Sequence, residues 1–140
     1  MVNKRNLDIG FATFGEEIIV PRGTTIGLDP EANPELIEQD PNIIQVRGIA
    51  EQLPFRSNSL NRVTSTFTIG DFSEIEESLE QVVRVLSPGG TANITLSLFD
   101  QVNQQNIRRI LRDLPVANIR IIKLDEIESE VTVRITFRKI

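Results

Sequence analysis

The side chains open to chemistry in this chain are few in kind. It contains neither cysteine nor histidine, which removes disulfides, thiolate nucleophiles and the usual zinc or copper sites. Carboxylates remain, among them Asp8 beside Gly10, Asp29 before Pro30, Glu51 and Asp71. Any metal would fall to such groups, yet no Asp/Glu spacing has the EF-hand pattern, so no metal site is expected. Gly10 and Gly15 flank a turn after an apolar run, where missing Cβ atoms let a ligand approach the backbone. Asp71 follows another apolar run and is the candidate general base; its alternative is membership of the loop preceding a helix cap at Ser73.

Such groups act only where strands and helices hold them, and the hydrophobic pattern predicts a βαβ rhythm. Strands are expected at Asn6–Ala12, Thr24–Leu28, Ile43–Arg47, Arg62–Thr68 and Thr91–Leu98. Ser73 with Glu76 has the form of a capping box, after which Ile75, Leu79, Val82, Val83 and Leu86 make an apolar stripe stopped by Pro88-Gly89-Gly90. Asp100 can cap a second helix with Ile107, Ile110, Leu111 and Leu114 inward. The segments after the first two strands are short: one ends at Pro21, and the other, Pro34–Gln39, is closed by Asp40-Pro41. Val131, Val133, Ile135 and Phe137 alternate with polar residues, and Asn118–Leu124 with a polar turn at Asp125–Ser129 completes an antiparallel hairpin. A single domain spanning 1–140 is expected.

The net charge of −5 and the lack of a Lys/Arg cluster in the sequence argue against nucleic acid and anionic membrane as partners. No apolar stretch approaches a membrane span, and no signal peptide is read, so a cytoplasmic protein is the expectation.

Three segments, in order, resemble the class I S-adenosylmethionine (SAM) methyltransferases, particularly the type 11 small-molecule branch. The first is Leu7-Asp8-Ile9-Gly10 with Ile26-Gly27-Leu28-Asp29-Pro30. The second is Gly48-Ile49-Ala50-Glu51-Gln52-Leu53-Pro54-Phe55 with Asn58-Ser59-Leu60-Asn61. The third runs from Leu79 to Gly90 and ends Arg84-Val85-Leu86-Ser87-Pro88-Gly89-Gly90. The resemblance implies a three-layer Rossmann-like α/β fold. Its sheet would be seven-stranded and mostly parallel, closed by a C-terminal antiparallel hairpin, with the helices of one face shortened. It further implies SAM across the carboxyl ends of the strands. Around the cofactor it implies Asp8, Gly10, Ala12, Gly15, Asp29, Pro30, Ile49, Ala50, Glu51 and Thr66. Asp29 would accept from the ribose hydroxyls, its alternative being a helix cap or an Asp-Pro turn.

The chain also departs from the family pattern. Ala12 and Phe14 stand where the glycine loop has glycines, and Phe14 could fill the methionine pocket; the alternative is that Phe11 and Phe14 pack as core. Ile49 replaces an adenine-reading Asp. Between Thr66 and Phe72 there is neither an (Asp/Asn)-Pro-Pro-aromatic motif nor Pro-Cys, which disfavours nucleic-acid acceptors. Two functional readings result. One is methyl transfer to a small molecule or partner protein; the other is a catalytically degenerate binding or assembly module. A third, a nucleotide-type binder without methyl transfer, uses the same cleft. The methyl acceptor is not legible. A parallel sheet wants both faces covered, so the face near Phe11, Phe14, Ile18 and Ile19 is expected to pair with a second copy as a homodimer, the alternative being a slimmer monomer.

Overall fold

The computed structural model describes residues 5–9, 24–29, 43–47, 50–68, 72–98, 104–128 and 130–140. Its elements are β1 (Arg5–Ile9), β2 (Thr24–Asp29), β3 (Ile43–Arg47), β4 (Leu60–Thr68), α1 (Phe72–Val85), β5 (Leu86–Leu98), α2 (Gln104–Arg112), β6 (Val116–Ile127) and β7 (Glu130–Lys139). They form a seven-stranded sheet in the order β3-β2-β1-β4-β5-β7-β6. The first five of these positions run parallel, and β7 and β6 are antiparallel. The expected α/β architecture with its C-terminal hairpin is therefore the one observed.

Periodicity explains the core. In α1, Ile75, Leu79, Val82 and Val83 share one face and are buried, while Glu74, Glu77 and Glu80 face water. That stripe lies on Ile9, Ser65, Ile94 and Leu96 of the sheet. On α2 the buried side chains are Ile107, Ile110 and Leu111, and the helix packs beside α1 and against β6. Fully burying such an aliphatic side chain contributes about 2 kcal/mol.

Several boundaries differ from expectation. Helix α1 begins at Phe72, so Ser73 is its second residue and not its cap. Leu86 leaves the helix and starts β5, pairing with Leu60 of β4; an apolar residue there satisfies either period. The Pro88-Gly89-Gly90 stop is a bulge inside the β5 span, where the register moves from Leu60↔Leu86 to Arg62↔Thr91. Strand β6 continues through most of the expected Asp125–Ser129 turn, and Ile127 pairs with Glu130. Glu128 carries the positive φ (54°) that such a tight connection requires. The first strand is described only to Ile9; its expected continuation to Ala12 lies outside the described residues, as do Pro34–Gln39 and Asp100.

The opposite face of β4, β5 and β7 is polar. Arg62, Thr64, Thr91, Asn93, Thr95, Ser97, Arg134, Thr136 and Arg138 are exposed or half-buried, and alternate with buried Val63, Ala92, Ile94, Leu96, Val133, Ile135 and Phe137. A parallel sheet covered on both faces has continuous apolar runs; this one reads like a half-solvated antiparallel sheet. Over β4, β5 and β7 that side is therefore lined by polar and charged residues. Phe11, Phe14, Ile18 and Ile19 lie outside the described residues.

One buried group is at odds with the core. The Ser78 hydroxyl, on the inner face of α1, has no hydrogen-bond partner among the described residues, and Ser78 is only 4% exposed. Burying an unpaired hydroxyl carries a desolvation cost, and alanine is also the better helix former. Ser78→Ala is expected to raise stability by about 1 kcal/mol. Urea unfolding measures it, and a lower midpoint for the variant would contradict the reading.

Candidate functional site

The site is built where parallel strands end. Strand order reverses between β1 and β4, since β2 and β3 extend from β1 one way while β4 and β5 extend the other. Crevices outside the carboxyl ends at such a switch point are where open α/β sheets hold ligands. Register sets the heights: Ile9 pairs with Leu28 of β2 and with Ser65 of β4. Asp29, one residue past Leu28, therefore stands one step beyond the level of Ile9 on the adjacent strand, and pairs with Arg47 of β3. Thr66, one step past Ser65, pairs with Thr95. The β1, β2 and β4 ends thus converge at one rim.

The chain after β3 returns to this rim. Ala50 is buried and shares a small apolar cavity with Ile9 and Ser65, two and three strands away from β3. Glu51 beside it is half-buried. The Ser65 hydroxyl reaches the Ile9 carbonyl at 3.4 Å, tying β4 to the last described residue of β1.

What holds the loop from Ala50 to Ser59 is a guanidinium. Arg84, in the last turn of α1, donates to the carbonyls of Phe55 at 2.7 Å and Leu53 at 2.8 Å. The Gln81 side-chain oxygen accepts from Arg84 at 2.9 Å and from the Leu53 amide at 3.2 Å. The helix end closes the far side: the Asn58 and Ser59 amides donate to the carbonyls of Arg84 and Val85 at 2.9 and 2.8 Å. The Ser87 hydroxyl donates to the Asn58 carbonyl at 2.8 Å. Lys139 adds a bond from Nζ to Asn58 Oδ1 at 2.7 Å. Burial, and secondly the nearby Arg84 charge, lower the Lys139 pKa from its ordinary value.

Of the residues expected at the site, Asp8, Asp29 and Thr66 are located by their backbone at the strand ends, and Ala50 and Glu51 by the loop. Gly10, Ala12, Gly15, Pro30, Ile49 and Asp71 lie outside the described residues. Gln81 and Arg84 were not anticipated. The signal for them was slight: a polar pair three apart bordering the apolar stripe of α1, with the cation in the helix's last turn. Among the described residues no group of three or more His, Cys, Asp or Glu could hold a metal ion. No helix among them is long and apolar enough to cross a membrane.

Comparison with known proteins matches this geometry. Residues 8–94 match a family model described as a methyltransferase domain, type 11. A demethylmenaquinone methyltransferase of Staphylococcus epidermidis is 35% identical over 97 residues, 61% of this chain and 40% of that protein. A mitochondrial 2-methoxy-6-polyprenyl-1,4-benzoquinol methylase of Dictyostelium discoideum is 43% identical over 53 residues, 38% of this chain and 17% of that one. This chain therefore spans well under half the length of these relatives. Among solved structures, Haemonchus contortus phosphoethanolamine N-methyltransferase 2 in complex with SAM superposes with a TM-score of 0.74 at 14% identity, covering 98% of this chain and 49% of that one. A geranyl diphosphate C-methyltransferase of Streptomyces coelicolor, holding S-adenosyl-L-homocysteine, gives 0.69 at 12% identity, with 99% and 73% covered. The parallel strand ends, the loop returning to them and the family match over most of the chain have one reading: the protein belongs to the methyltransferase domain family.

Proposed function

We propose that this chain binds SAM across the carboxyl ends of β1, β2 and β3 and serves as a SAM-dependent methyltransferase domain for a small-molecule acceptor. The observation that carries the reading is the register that sets Asp29 one step beyond Ile9 while Ala50 lines a cavity with Ile9. The donor set fits the group. A carboxylate has two acceptor oxygens, which suits vicinal ribose hydroxyls, and Asp29 is the last residue of β2. Ala50 offers a small apolar wall against which a purine can lie, and Glu51 borders it at the solvent edge. Asp8, near the end of β1, is the proposed counter-charge for the ammonium of SAM's amino-acid end. When bound, SAM contributes a sulfonium methyl for in-line displacement. What the chain adds is positioning, and that alone supplies much of the rate of such a reaction. Asp71 is the carboxylate available to take a proton where the acceptor must lose one. The curated relatives named above are methylases of quinone precursors, which supports a small-molecule acceptor.

Calorimetric titration with SAM and with S-adenosyl-L-homocysteine tests the proposal. Micromolar binding is expected, weakened at least tenfold by Asp29→Ala, because a charged acceptor of two hydrogen bonds is removed. No heat at millimolar ligand would reject it. Such a result would favour the alternative of a binding or assembly module, with Phe14 in the cleft.

A further inference from the structure

Three arginines far apart in sequence, Arg62, Arg120 and Arg138, line one groove. In-register pairing of Arg62 with Thr91, and of Thr91 with Arg138, lines up two guanidinium groups on one row of the polar sheet face. Their Cα atoms are separated by two inter-strand steps, about 10 Å. Arg120 joins them from the next row, where it pairs with Thr136. These three arginines, with Asn93, line an open groove of about 590 Å³, the size of a small-ligand site. Among the described residues no carboxylate lines it, and none of the three arginines forms an ion pair. The groove lies toward the amino ends of β1 and β4, where Asn6 pairs with Arg62, and so away from the rim that carries Asp29.

We propose that this groove is an anion site for a small oligophosphate, a ligand carrying a di- or triphosphate group. Charge complementarity is the argument. Three like charges converge on one concave surface of a chain whose net charge is −5, an arrangement that repels itself until an anion enters. Guanidinium forks match phosphate oxygens two at a time, and their separation suits adjacent phosphoryl groups better than a single small anion. Thr91, Asn93 and Thr136 add neutral donors between them. A nucleic-acid strand is the poorer fit, because it needs aromatic platforms, and the ring of Phe137 is buried from this face. The proposal is independent of the SAM reading, since the two surfaces share no residue.

The test is a titration of the full chain with inorganic tripolyphosphate, followed by amide chemical shifts and by calorimetry. Shifts are expected at residues 62, 91–93, 120 and 136–138, with affinity lost at least tenfold in the Arg62→Gln/Arg138→Gln double variant. Both positions are exposed, and an unchanged melting temperature of the double variant verifies that the fold is retained. Undiminished affinity in the double variant would overturn the proposal. So would shifts centred on Arg108, Arg109 and Arg112 of α2, or tighter binding of a single-stranded oligonucleotide than of tripolyphosphate. If the double variant fails to fold, the wild-type shift map decides between groove and α2.

Discussion

Replacing Arg84 by alanine should lower stability by about 3 kcal/mol and release the Ala50–Ser59 loop from α1. The guanidinium satisfies the Leu53 and Phe55 carbonyls and the Gln81 oxygen together. Hydrogen bonds to a charged group contribute about 1.5–3 kcal/mol each, but bonds sharing one donor group are not additive, and the freed carbonyls regain some water. Arg84→Lys should recover only part of the loss, because an ammonium cannot present a planar fork. Urea unfolding at constant slope measures the first effect. Faster amide exchange at Leu53, which donates to Gln81, measures the second. An unchanged midpoint in Arg84→Ala would show that the loop holds itself.

The second large effect is expected at Gly90. A Cβ built there would stand 2.8 Å from the Ser87 carbonyl oxygen, 3.1 Å from that of Asn61 and 3.1 Å from Leu86 Cδ2. Two of these are backbone atoms that cannot swing away, so Gly90→Ala should cost about 2 kcal/mol as overpacking. Its neighbour differs in kind. Gly89 has φ +84° with nothing within 4 Å, so Gly89→Ala meets only left-handed strain, about 1 kcal/mol. Thermal melts of the two single variants give the order. A Gly89 variant that melts below the Gly90 variant would contradict the packing argument.

Much of this architecture could be read from spacing. The Ile43–Arg47 strand was expected with the bounds it has, and the expected helix stripe named five side chains that all prove buried, four on α1 and Leu86 at the start of β5. Elsewhere composition misled. Polar Asp125–Glu126 suggested a turn, but the outer end of the hairpin needs no apolar face and continues as strand to Ile127. The alternation of Thr91, Asn93, Thr95 and Ser97 with apolar neighbours was visible, and already described a sheet with one wet face. The arginine groove was illegible because its members sit on β4, β6 and β7, and only register joins them. Arg84 was hidden for a different reason: its partners are mostly main-chain carbonyls, which leave no mark in side-chain spacing. The rim where β1 and β2 end was legible from their apolar runs, while the residues from Gly10 to Gly15 lie outside the described part of the chain.

Because the returning loop hangs from the final turn of α1, a molecule gripping Ala50 or Glu51 also grips the helix that seals the core. Occupancy and melting become one thermodynamic quantity. A ligand present at a hundred times its dissociation constant would add about 2.7 kcal/mol to the folded state. Heating the protein in the presence of candidate small molecules, SAM among them, would therefore rank them as ligands without any assay of turnover.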